Sequence, residues 1–321
     1  MILSRRSLAR ASALTLAALT FAACGDSTRP LEVSPEQLEA LGELMAAEVQ
    51  SGALQLTAAD AMGSVDAPTF SVLSGGSRTL AGLGLNQQRA AGPSFQVVDP
   101  ECGVPSQNPP TDTDSDGVPD NFTVTFLLPG CHFTGPDGSF DLTGLIRVSD
   151  PSPGTAAAAF NMALDNFRFT FDTPDIDGFV RRDGLTSVAA SASGLSQSLS
   201  LLESAQLTGY PQVGVDVDWT ATFAAAQGTS ITPGEPLPSG TYIVNGALEF
   251  RQANQVGAFT VTTLNPLQYD AGCAADMATG LALSPFSSGK VRVGVRNDAA
   301  RGFAEITYLD CGQATVLYVA G

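Results

Sequence analysis

Residues 213–223 read "VGVDVDWTATF". Val213, Val215, Val217, Trp219, Ala221 and Phe223 take every second position, with glycine, aspartate or threonine between them. Successive side chains of a strand point to opposite faces of a sheet, so strict alternation marks a strand with one face buried and one wet. Asp216 and Asp218 then share the outer face and Trp219 points inward. The same texture, rich in Thr, Val and Phe, returns in "FTVTF" (122–126), "FDLTGLIRV" (140–148), "FRFTFD" (167–172), "TYIVNGALEF" (241–250), "AFTVTTL" (258–264), "KVRVGV" (290–295), "AEITYL" (304–309) and "ATVLYV" (314–319). Gly, Pro and Asp turns separate the runs. No long helical pattern alternates with them, which argues against parallel βαβ units. The expected class is mainly β: an antiparallel β-sandwich or open barrel.

Outward from that core the pattern loosely repeats. "TVTF" (123–126), "FDLTGLIRV" (140–148) and "AFNMALDN" (159–166) are followed in the same order by "TATF" (220–223), "YIVNGALEF" (242–250) and "AFTVTTLN" (258–265). Gly144 aligns with Gly246 in mid-strand, where a bulge or sharp bend is expected. The repeat suggests two related halves, about 101–205 and 206–321, within a β-rich domain spanning 63–321. Chance likeness between β segments is the alternative. Residues 63–100, rich in Gly, Ser and Ala, carry little periodicity.

Ahead of the β region, 34–62 forms a helical segment. In "SPEQLEALGELMAAEVQSG", Ser34, Pro35 and Gln37 supply an N-cap, a first-turn proline and a capping-box partner. Leu38, Leu41, Met45 and Val49 share one face, and Gly52 suits the stop. The spacing predicts one N-terminal helix, from about 35 to 50, packed on the domain that follows.

The first residues, "MILSRRSLARASALTLAALTFAACGDS", place Arg5, Arg6 and Arg10 before an apolar run from Ala11 to Ala23. This is the layout of an export signal, 1–23, and the run is too short for a stable bilayer-spanning helix. "FAAC" resembles the lipobox of bacterial lipoproteins, with Phe21 where leucine is usual. That resemblance implies that Cys24 becomes the lipidated N-terminus, followed by a polar tether over 24–33. "SRRSLAR" is also similar to a twin-arginine signal, so either export route is open. No later run of about 18 apolar residues occurs. The expected location is the bacterial cell envelope, lipid-anchored, on the periplasmic side or the surface.

Charge and cysteines fit that setting. The chain has 15 basic and 32 acidic residues, a formal charge of −17. Cleavage after residue 23 would remove three of the basic residues and none of the acidic ones, leaving Lys290 as the one lysine. Such a surface disfavours nucleic acid, whose binding needs clustered Lys and Arg. With Cys24 assigned to lipid, Cys102, Cys131, Cys273 and Cys311 form an even set in an oxidising compartment. Three pairings are open, and the local ones, Cys102 with Cys131 and Cys273 with Cys311, are favoured.

The most specific chemical signal is "TDTDSDGVPDN" (111–121). Calcium takes six to eight oxygen ligands; Asp112, Asp114 and Asp116 converge when Gly117 lets the chain turn, and the Val118 carbonyl and Asp120 could complete the ring. The motif resembles the calcium loops of thrombospondin type-3 repeats and the first nine positions of an EF-hand. The twelfth EF-hand position is Thr123 rather than a bidentate glutamate, and a strand follows where a helix would stand. The resemblance implies a bound, structural calcium ion and nothing about the remaining fold. A solvated acidic linker is the alternative.

Other groups offer less. Asp172, Asp175 and Asp177 read as turn chemistry. Asp216 and Asp218 could serve a glycosidase as an acidic pair, though acids alternating with valine are what a solvated face produces. His132, the lone histidine, has no partner set for zinc or for a catalytic triad. No nucleotide-binding fingerprint occurs. The expected function is a non-enzymatic envelope scaffold or binding module, lipid-anchored to a membrane, with protein, glycan or small-molecule partners open. A glycan hydrolase using an acidic pair and a carrier of an apolar ligand in a β-barrel cavity are the alternatives.

Overall fold

The computed structural model describes residues 33–54, 56, 96–97, 103–107, 110–116, 118–128, 131–135, 138–157, 159–172, 177–191, 194–209, 212–232, 235–252, 255–279 and 281–321. The expected export signal and most of the expected tether, with Cys24, Cys102, Gly117 and Asp175, lie outside them.

The first helix, α1, spans Pro35–Leu54. Its start follows the capping box: the Ser34 N–H donates to Gln37 Oε1 at 2.8 Å and the Gln37 N–H to Ser34 Oγ at 3.3 Å. Its end differs from expectation, because the helix runs through Gly52 to Leu54. Ala53 and Leu56 are fully buried and extend the stripe of Leu38, Leu41, Met45 and Val49. Burying each large aliphatic side chain is worth about 1.5–3 kcal/mol, more than the roughly 1 kcal/mol that a mid-helix glycine costs.

Among the described residues fourteen strands follow. They are β1 (Gln96–Val97), β2 (Val104–Pro105), β3 (Phe122–Phe126), β4 (His132–Gly135), β5 (Gly138–Ser149), β6 (Phe160–Asp172), β7 (Asp177–Ser191), β8 (Gly194–Leu207), β9 (Val213–Ala225), β10 (Gly240–Gln252), β11 (Gln255–Tyr269), β12 (Phe286–Val295), β13 (Phe303–Leu309) and β14 (Thr315–Val319). All belong to one antiparallel sheet, ordered β1-β4-β5 and then consecutively to β14. Strand β3 joins β5 on the edge that β4 also uses: β4 pairs with residues 138–141 of β5 and β3 with residues 144–148. Among the described residues β14 pairs only with β13, so the sheet stays open. The mainly β class and the N-terminal helix of the sequence reading are both present.

A second helix, α2 (Ala271–Thr279), was not expected. Asp270 caps it, its Oδ1 accepting from the N–H groups of Gly272 and Cys273 at 2.8 and 3.2 Å.

In β9 the burial alternates as the sequence predicts, with Val217, Trp219, Ala221 and Phe223 inside. The largest core joins these to β10–β13 and to α1, through Tyr242, Phe286 and Tyr308 among others. A smaller core around Phe126, Leu142, Phe167 and Phe169 lies under β3 and β5–β8. Helix α1 packs on the buried face of β12–β14. There the buried Tyr308 hydroxyl donates to the Ala46 carbonyl at 3.1 Å, and the Tyr318 N–H to Glu39 Oε1 at 3.0 Å.

The two repeated segments fall on equivalent neighbours, β3-β5-β6 and β9-β10-β11, an order that any up-and-down sheet shares. Their glycines differ in role. Gly144 sits at a bulge against β6 with φ +113°. Gly246 keeps regular pairing and makes room for Trp219, whose Cβ would lie 2.4 Å from an added Cβ.

Candidate metal centre

The acidic turn leads into β3. Each of its first three aspartates spends one carboxylate oxygen on folding the turn. Asp112 Oδ1 accepts from the Ser115 N–H at 2.8 Å, Asp114 Oδ1 from the Asp116 N–H at 3.3 Å, and Asp116 Oδ1 from the Val118 N–H at 2.8 Å. Ser115 takes a left-handed conformation, φ 61°. The result is that Asp112, Asp114 and Asp116 each bring an oxygen within 4.8 Å of the others. At an effective dielectric of about 20, unit charges at that separation repel by about 3 kcal/mol per pair, so the geometry favours a cation between them.

Asp120, the fourth expected ligand, stands outside the oxygens that meet within 4.8 Å. Its Oδ1 accepts from the Thr113 N–H at 3.0 Å and its Oδ2 from the Thr113 hydroxyl at 2.6 Å, and these bonds hold its carboxyl below the usual range. It braces the turn across seven residues. Val118 buries its side chain in the larger core, which anchors the turn.

Asp116 is 3 % exposed, and its carboxyl is pushed above the ordinary value of 3.8. Burial is the main cause; the Val118 and Ala157 N–H groups oppose it, and the charges of Asp114 and Asp150 add to it. The Ala157 N–H reaches Asp116 Oδ2 at 3.1 Å from a segment 41 residues away. Asp114 Oδ2 is buried and has no hydrogen-bond partner.

The sequence reading missed Asp150. It follows β5 directly, is buried, and its Oδ2 is also without a hydrogen-bond partner. Only the sheet register reveals the proximity. Phe122 pairs with Val148, and the Asp150 N–H continues the ladder by donating to the Pro119 carbonyl at 2.9 Å.

The other singled-out residues stand elsewhere. Asp216 and Asp218 lie on the outer face of β9, with Asp216 Oδ2 3.4 Å from Arg251 Nη2 and Asp218 exposed. That is a solvated surface carrying a counter-ion. His132 Nδ1 lies 2.6 Å from Asp141 Oδ1, a cross-strand pair of β4 and β5. Asp172 and Asp177 face each other at the β6–β7 turn, where Asp177 accepts from the Thr208 hydroxyl. Cys273 and Cys311 form a disulfide with Cα atoms 5.6 Å apart, tying α2 to the β13–β14 turn. Cys131 is disulfide-bonded as well, and its favoured partner Cys102 lies outside the described residues.

In the larger core the inward positions of β9–β13 are filled by buried side chains, Trp219, Tyr242, Tyr308, Phe223 and Phe286 being the largest. Among the described residues, no helix is long and apolar enough to cross a membrane. No protein-family model, curated protein or solved structure matches this chain.

Proposed function

We propose that this protein is an exported, calcium-stabilised β module, anchored to an envelope membrane by lipid on Cys24 and acting as a non-enzymatic scaffold or binding domain. The observation that carries the calcium reading is the meeting of Asp112, Asp114 and Asp116 oxygens within 4.8 Å, with Asp114 Oδ2 buried and lacking a hydrogen-bond donor. The donor set is all oxygen, which suits a hard cation, and calcium tolerates the irregular geometry of such a turn better than magnesium does. The Val118 carbonyl completes the set from the turn. Support for the anchor is the "FAAC" motif behind a basic and then apolar leader. Support for a non-enzymatic role is that Asp216 and Asp218 lie on the outer face of β9, Asp216 beside Arg251 and Asp218 exposed to solvent.

Thermal unfolding with calcium, magnesium or EDTA tests the reading. Free calcium at about 100 times its Kd contributes roughly 2.7 kcal/mol, a rise in Tm of about 4 °C for a chain of this size. Magnesium should give much less, and equal Tm values in calcium and EDTA would remove the calcium reading. Intact mass of protein extracted from the membranes of its own host tests the lipid on Cys24 separately.

A further inference from the structure

We infer that Asp150, outside the acidic turn, supplies an oxygen ligand to the cation held by Asp112, Asp114 and Asp116, so that the ion bonds the turn to the end of β5. The inference rests on the calcium reading above and adds a residue and a purpose to it.

Three observations carry it. Asp150 is 7 % exposed, and its side chain is half used: Oδ1 accepts from the Ser152 N–H at 2.6 Å, while Oδ2 is buried with no hydrogen-bond partner. A buried carboxylate oxygen without a donor is costly unless a cation meets it. Among the described residues no Arg, Lys or His forms an ion pair with Asp114, Asp116 or Asp150. Second, Asp150 belongs to the same neighbourhood as the turn. Its N–H donates to the Pro119 carbonyl, and its unpartnered Oδ2, which stands outside the oxygens that meet within 4.8 Å, has only to swing toward them to reach the ion. The segment beyond it returns to Asp116 through the Ala157 N–H.

The third observation is the ligand count. Calcium needs six to eight oxygens, and an EF-hand loop obtains two of them from a glutamate at position twelve. Here position twelve is Thr123, inside β3, and Asp120 is held by Thr113. The turn alone supplies three carboxylates and one carbonyl. Asp150 brings a further carboxylate from another strand, the chemistry that the missing glutamate would have provided.

The test uses the full chain in detergent and two probes, Ca2+ by calorimetric titration and Tb3+, whose luminescence lifetimes in H2O and D2O count bound water. Asp150→Asn should weaken calcium by roughly 10- to 100-fold and let additional water reach Tb3+. Asp218→Asn, an equal loss of charge on the outer face of β9, should match the wild type in both. Wild-type affinity and hydration in Asp150→Asn would overturn the inference while leaving a calcium site in the turn. A wild type that takes up neither ion would overturn the calcium reading and this inference together. If Asp150→Asn fails to fold, a crystal structure of the wild type with calcium decides. An Asp150 oxygen at about 2.3–2.6 Å from the ion supports the inference, and an ion bound without Asp150 overturns it.

Discussion

At Asp116 burial and neighbouring charge act in one direction, both favouring the protonated acid when no cation is present. Its carboxyl titrates higher folded than unfolded, so its contribution to stability is complete below the unfolded value and is lost as the pH rises through the folded one. In EDTA the wild type should therefore lose stability across that window relative to Asp116→Asn, measured by urea unfolding at a series of pH values. Bound calcium would reverse the sign, because a metal needs the ionised acid and acidification releases it. Asp112, Asp114 and Asp116 were legible because alternate acids before a glycine form a local pattern. Asp120 was legible as part of the turn but not as its brace, since its choice between a cation and Thr113 depends on loop geometry. Asp150 could not be found that way, because "SDPSPG" reads as an ordinary turn until the pairing of β3 with β5 is known.

Helix α1 shows how an element can be read at one end and misread at the other. Ser34, Pro35 and Gln37 form a local hydrogen-bond pattern that the sequence displays directly. The stop depends on what lies opposite Ala53 and Leu56, and that is tertiary information. Gly42 makes the same point within the helix: a Cβ there would lie 2.6 Å from Val316 Cγ1 and 2.9 Å from Ala304 Cβ. Gly42→Ala gains about 1 kcal/mol in helix propensity but crowds a β-branched side chain and a strand, at a cost of roughly 1–3 kcal/mol. The expected balance is a loss of up to about 2 kcal/mol, seen as a lower urea midpoint with an unchanged slope. Helix α2 was passed over although Asp270 signals its start, because nine residues between two strands make a weak pattern.

For the whole molecule, alternation told the class and most strand positions, while the sheet order and the open edges came from hydrogen bonding that alternation does not encode. Pairing of Cys273 with Cys311 was favoured as the local choice and is present. It closes a loop of 38 residues, for which the loop-entropy model gives about 4 kcal/mol. The double variant Cys273→Ser with Cys311→Ser should lose stability of that order in chemical unfolding, with calcium binding retained, because the acidic turn lies at the far end of the strand order. The contact between α1 and the β13–β14 hairpin sets a different constraint, on time. Ala46 meets Tyr308 across 262 residues and Glu39 meets Tyr318 across 279. At about 5–20 residues per second, a ribosome makes the helix some tens of seconds before its docking strands. Throughout that interval the nascent chain carries a greasy helix face with nothing to lie against, an invitation to chaperones that disappears only when the hairpin arrives.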